Sequence, residues 1–176
     1  MHTYENWPQG NRPADVKAYF KDEIDIDAPT STVWSWLSRP ALYPYWYKGW
    51  PKVDFSTSKD AQLGPGDTFV AYVKGMKSPT NVIDFEPEHT IAWTGKRFGV
   101  RGVHSWVLAG NANSTLVVTE ETLRGVLPSM FPKVFINAGH QMHRHWLKQL
   151  KAISEIMPYD RSLSVEDIYR MSYPSK

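Results

Sequence analysis

The stretch Ile24-Asp25-Ile26-Asp27-Ala28-Pro29-Thr30-Ser31-Thr32-Val33-Trp34-Ser35-Trp36-Leu37 changes its period half-way along. Before Pro29 the chain alternates, and 17–28 reads as a strand with Phe20, Ile24 and Ile26 on one side. Pro29 breaks the strand but suits the first turn of a helix. Thr30, Ser31 and Thr32 are capping types, and Val33, Trp34 and Leu37 sit at helical spacing. Pro40 ends that helix and can start a second short one. Further on, strands are expected at 52–56, 68–74, 81–86, 90–97, 101–109 and 115–124, separated by short turns, which argues an antiparallel meander. After Leu127 the period lengthens again. Phe131, Phe135, Ala138, Met142, Trp146, Gln149 or Leu150, Ile153 and Met157 recur every three to four residues, so one amphipathic helix is expected over 128–157. Strand, two small helices, meander and long helix together make an α+β fold. A bent antiparallel sheet wrapped around one helix cannot fill its own interior, so a hydrophobic cavity is expected there.

The 176 residues suit one domain with a sizeable core, expected at 17–157. A loose, flexible arm (1–16) precedes it, because Asn6-Trp7-Pro8 and Arg12-Pro13 resist regular structure. A tail (158–176) follows, with a short helix from Ser164, capped together with Asp167. The net charge of +2 is interspersed, with no basic stripe for nucleic acid. The absence of cysteine excludes disulfides, thiolate nucleophiles and cysteine-ligated zinc. No apolar run approaches the ~20 residues of a membrane span. A cytoplasmic protein, monomer or homodimer, is expected. Aromatics make up 14% of the chain, and five of them fall within 43–50. That segment reads as a loop pinned by its rings, able to form a rim or lid over a pocket.

Within the 101–109 strand, Gly102, His104, Trp106 and Leu108 share a face. The larger apolar set should face inward and carry His104 with it, where an imidazole can act as general acid or base. If Ala109 pairs with Thr115, Glu120 lies opposite His104 and faces inward with Leu116 and Val118. A slip by one residue turns Val117, Thr119 and Glu121 inward instead. Glu120 is the favoured partner and Glu121 the alternative. Trp93 and Arg97 share a face of their strand, as pocket wall and as partner for a carboxylate or enolate. Tyr72 is a candidate hydrogen-bond donor, although Phe69, Ala71 and Val73 compete for the inward side. Trp46, Trp106, Phe131, Phe135 and Met142 are further wall candidates. His140 and His143 lie i, i+3 on a flank of the long helix, and His140 is the candidate at the cavity edge. Two histidines without a defined carboxylate are weak evidence for a metal, and none is expected. There is no phosphate-binding glycine loop, serine nucleophile motif or dinucleotide fingerprint, so no cofactor is expected.

The segments IDIDAPTSTVWSWLSRPALYPYW, GDTFVAY, FEPEHTIAWTGKRFGVRGVHSWVL, STLVVTEETLRG and HWLKQLKAISEI resemble the SRPBCC or START-like superfamily, and its polyketide cyclase/dehydrase group in particular. The resemblance spans about 17–157. It implies a helix-grip fold of the START and pollen-allergen kind, with two small helices after the first strand and a deep cavity. It also implies three kinds of function, which fold alone does not separate. The first is an enzyme that binds a hydrophobic or aromatic carbonyl compound and catalyses cofactor-free cyclisation, dehydration or isomerisation by proton transfer. The second is a non-catalytic carrier or sensor. The third is a protein-binding module of the ATPase-activator type, with 43–50 as its contact surface.

Overall fold

Alternation in the middle of the chain becomes a seven-stranded antiparallel sheet. The structure is a computed structural model and describes residues 2–56, 58–73 and 75–173. The strands are β1 (Ala18–Ile26), β2 (Lys52–Asp54), β3 (Thr68–Val73), β4 (Met76–Glu86), β5 (Thr90–Arg97), β6 (Val100–Gly110) and β7 (Thr115–Arg124). Their order is β1-β7-β6-β5-β4-β3-β2, so β2 to β7 run as a meander and β1 returns to pair with β7. After β1 come α1 (Thr30–Leu37) and α2 (Tyr43–Trp46), joined by a 3-10 turn over Pro40–Leu42. After β7 come α3 (Val126–Met130), α4 (Pro132–Ile156) and α5 (Val165–Ser172). The long helix α4 lies across the inner face of the sheet, chiefly against β1. This is the α+β sheet around a long helix expected from the element order, and the helix grip that the resemblance implies.

The boundaries that differ most from expectation do so for local reasons. The helix expected over 128–157 is two helices. Pro132 disfavours helical geometry at the preceding residue, and Phe131 breaks the run at φ −125°, ψ 51°. The strand expected at 81–86 starts five residues earlier, at Met76. Gly75, at φ +77°, turns the chain tightly enough for Val73 to pair with Met76.

The N-terminal arm, expected to be loose, is docked on the outer face of the sheet. Tyr4 is buried there against Ala92, Val107 and Val118, with Trp7 and Leu116 packed beside it. Docking is also polar: the Trp7 indole donates to the Tyr4 carbonyl, and Asn6 Nδ2 donates to Asp84. The tail is docked as well. Ser164 and Asp167 cap α5 reciprocally, and Ile168 is wholly buried.

Aromatic side chains pack into the interior. Tyr43, Trp46, Tyr47 and Trp50 turn inward and meet Trp146 of α4. Phe69, Trp93 and Trp106 close the same space from the sheet. The expected cavity is thus occupied by aromatic side chains in this conformation. An open groove of about 570 Å³ lies instead on the outer face, between Pro8 and Asn11 of the arm and strands β3 to β6.

Gly139 shows how closely α4 approaches the sheet. A Cβ there would stand 2.2 Å from the Phe20 ring, which is itself wedged beside the His140 and His143 rings. Neither a ligand nor another backbone explains this glycine; a ring does. Gly139→Ala is therefore expected to destabilise by about 1–2 kcal/mol despite its better helix propensity, because overpacking outweighs the gain. The midpoint of denaturant unfolding measures this, and an unchanged or raised midpoint would contradict it.

Candidate active site

The site forms where three inner-face rows meet α4. His104 of β6 pairs directly with Glu121 of β7 on one side and with Trp93 of β5 on the other. Phe20 of β1 stands opposite Glu121, and Asp22 opposite Thr119. From above, α4 lowers His143 into this row. His104 and His143 stack at 4.9 Å between centroids with 18° between planes, and both are buried.

The two imidazoles differ in charge because their neighbours differ. His143 Nδ1 is 3.3 Å from Asp22 Oδ2, and its Nε2 is 3.8 Å from Glu121 Oε2. Neither contact is a well-aligned hydrogen bond, so the pairing is ionic more than directional. Burial pulls the His143 pKa down, but Asp22 and Glu121 outweigh it and leave it raised. His104 faces no carboxylate as closely. Burial, with repulsion from a charged His143, holds its pKa well below the ordinary imidazole value. The pair is thus biased in opposite directions, His143 toward the imidazolium and His104 toward the neutral ring.

The tautomer of His104 follows from its partners. The Thr119 hydroxyl donates to the Ser105 carbonyl at 3.1 Å, so it accepts from His104 Nε2–H at 2.8 Å. Nδ1 then keeps the lone pair. Asp22 is likewise fixed: it accepts from His140 Nδ1 at 2.6 Å and from Arg144 Nε at 3.3 Å. Burial raises the Asp22 pKa, but the close His143 and His140 imidazoles reverse this and lower it.

His104, Glu121 and His143 offer one ligand atom each, all within 4.8 Å of one another. Ligands about 2.0–2.2 Å from a tetrahedral zinc would stand only about 3.4 Å apart. A metal also needs a neutral imidazole, whereas the Asp22–His143–Glu121 arrangement favours a charged one. The donor set suits a shared proton better than a dication.

The expected site residues divide. His104, Trp93 and Trp106 come together, with the rings of Trp93 and Trp106 at 5.4 and 4.9 Å from His104, and Trp46 joins them through Trp146. Glu121 takes the inward place. Glu120, the favoured partner, faces outward, because Gly110 rather than Ala109 pairs with Thr115 and every residue of β7 is shifted by one. Tyr72 also points outward, and its hydroxyl donates to Asp54 at 2.7 Å. The inward side of β3 belongs to Phe69 and Ala71. Arg97 is on the Trp93 face but four residues further along β5, about 13 Å away, where it donates to the Val73 carbonyl. Phe131 is 52% exposed, at the break between α3 and α4. Phe135 and Met142 are only half-buried. His140 reaches Asp22 and serves as its partner at the site's edge.

His143 was the residue that sequence reasoning underrated. The buried stripe of α4 runs through Gly139, His143, Trp146, Leu150 and Ile153, one residue away from the expected Ala138 and Met142 in its first half. Spacings of four, three, four and three, anchored on the mid-helix glycine, were the signal.

A family model described as polyketide cyclase / dehydrase and lipid transport matches residues 17–155. The chain belongs to that family. Solved structures agree on the fold. A hypothetical protein, jhp0584 from Helicobacter pylori, superposes with a TM-score of 0.75 at 21% identity, covering 88% of this chain and 99% of that one. A START superfamily protein from Mycobacterium smegmatis gives 0.61 at 18% identity, covering 78% and 97%. The Zhui aromatase/cyclase from a Streptomyces strain gives 0.61 at 16% identity, covering 78% and 93%. At these identities the likeness is one of fold. No curated protein matches the sequence. Among the described residues no helix is long and apolar enough to cross a membrane.

Proposed function

We propose that this member of the family is an enzyme that takes a hydrophobic or aromatic carbonyl compound between the sheet and α4 and moves protons on it without a cofactor. The observation that carries the reading is the stacked His104–His143 pair, with Asp22 and Glu121 beside His143, which favours the neutral form of one ring and the charged form of the other. His104 Nδ1 accepts the proton from a carbon beside the carbonyl. The electron pair moves onto the carbonyl oxygen, where the His143 imidazolium stabilises or protonates it. Asp22 and Glu121 favour the charged form of His143. Cyclisation, dehydration and isomerisation all use such an enol or enolate.

The interior also suits an oxygenated ligand. The indole N–H groups of Trp46, Trp50, Trp106 and Trp146 are buried without an acceptor. Leaving a buried donor unpaired costs about 1–3 kcal/mol, and carbonyl or phenol oxygens would relieve that cost. A substrate must displace rings to reach His104, and 43–50 is the segment that carries most of them over the site. Those rings are buried, Tyr43 and Trp46 almost entirely, so they do not form a ready contact surface for a partner protein.

The same unpaired donors equally favour a second reading, carriage of an oxygenated ligand without chemistry. Incubation with a panel of aromatic and polyketide-like compounds, followed by mass spectrometry and absorbance, separates the two. Conversion by the wild type, with retention but no conversion by His104→Gln, is the expected result. Tight retention without conversion by both proteins would overturn the enzyme in favour of the carrier.

A further inference from the structure

One end of the molecule is apolar where it should be polar. Phe98, Val126, Leu127, Met130, Phe131 and Val134 are all between 49% and 76% exposed. They lie on neighbouring segments of the chain. Gly125, at the mouth of α3, abuts the Gly99 carbonyl, so the β5–β6 turn bearing Phe98 sits beside α3. Phe98 is held there at φ +47°, a strained conformation for a large side chain. Scattered exposed apolar residues need no explanation, but six gathered on neighbouring segments mark a contact surface.

The surroundings of the tip are basic. Lys96, Arg101 and Arg124 are direct cross-strand partners on β5, β6 and β7. Like charges placed opposite one another destabilise a sheet, and none of the three is in an ion pair among the described residues. Lys133 adds a further exposed cation in the first turn of α4. No acidic residue occurs between Glu88 and Glu120 or between Glu121 and Glu155. Asp54 borders the same outer groove as Lys96 and Arg101, but it is engaged with Tyr72 and Lys52.

We propose that this tip docks on the surface of an anionic lipid bilayer. Phe98, Leu127 and Met130 insert among the acyl chains, while Lys96, Arg101, Arg124 and Lys133 lie at the level of the head groups. An apolar knob with a cationic collar matches a membrane interface, whose hydrocarbon lies behind a layer of negative charge. A second copy fits worse, since self-pairing would set the cations against one another.

Flotation with vesicles of phosphatidylcholine, alone or mixed with phosphatidylglycerol, tests the proposal. The wild type should float with the mixed vesicles, fail to float with phosphatidylcholine alone, and be released by raised salt. Two double variants, Leu127→Asp with Met130→Asp and Lys96→Glu with Arg101→Glu, should each bind the mixed vesicles about tenfold more weakly or worse. These positions are exposed, and unchanged thermal melting would confirm that both variants fold. Equal binding to both vesicle types, binding to neither, or undiminished binding by the variants would overturn the proposal. A dimer that Leu127→Asp dissociates would overturn it too, by assigning the surface to a second copy.

Discussion

Turnover is expected to fall by about 10²–10⁴-fold in His143→Gln, the range that a positioned acid or base contributes, and its pH profile should change shape as well as height. In the wild type the sign follows from the two directions. His104, lowered by burial and by His143, must be neutral to accept a proton. Activity is therefore kept as pH falls below the ordinary imidazole range and lost only at His104's depressed value. His143 is raised, because Asp22 and Glu121 outweigh its burial, and it must be charged to donate. Activity is therefore lost as pH rises above the ordinary imidazole range and through His143's elevated value. The result is a bell wider than two unperturbed histidines would give. Glutamine at 143 keeps the volume but cannot titrate, so the alkaline limb should vanish. It also removes the charge that helps depress His104, so the acid limb should move to higher pH. A merely structural role for His143 would lower the profile without moving either limb. Rates across pH on any compound that the wild type converts, measured beside circular dichroism of the variant, decide between these outcomes.

Asp22 makes the fold's stability depend on pH. Its carboxyl is lowered by His143 and His140 against an opposing burial effect, so the stability it contributes is present above the ordinary Asp value and is lost as pH falls through the depressed one.

The fold was legible because its signals are periodic. Thr90–Arg97 and Thr115–Arg124 form strands at the expected residues, and Ser164 with Asp167 caps the expected tail helix. Half of the site was legible for the same reason: Trp106 and Leu108 are apolar enough to fix the face of β6, and His104 had to follow. The rest depended on offsets of a single residue. Closing the β6–β7 hairpin at Gly110–Thr115 rather than Ala109–Thr115 exchanges Glu120 for Glu121, and two adjacent glutamates give the sequence no means of telling them apart. On α4, Met142 is a more apolar choice than His143, and only the presence of Asp22 and Glu121, brought from β1 and β7, makes the histidine the better buried residue. The docking of the arm was hidden because Thr3 and Tyr4 carry no pattern; their partners lie more than a hundred residues away.

That docking leads to the second large effect, since Glu120 acts as a clasp. Its carboxylate is 1% exposed and accepts from the Thr3 hydroxyl at 2.7 Å, the Tyr4 backbone N–H at 2.7 Å and the Tyr19 hydroxyl at 2.8 Å, with Lys21 Nζ at 3.8 Å. Glu120→Ala should cost about 3 kcal/mol, the lower end for removing one partner of a buried charge, because Lys21 can turn to water. For a chain of this size that is a fall in melting temperature of about 6–12 °C. Glu120→Gln keeps the shape but turns one acceptor into a donor, and should cost about 1–2 kcal/mol. The decisive comparison removes residues 2–7 first. With the arm gone, Glu120 meets water, so Glu120→Gln should then be nearly neutral. Non-additivity of this kind measures the clasp itself rather than a general defect. If Glu120→Gln costs the same with and without the arm, the carboxylate serves the sheet through Tyr19 and Lys21 alone, and the arm is held by the Tyr4 packing.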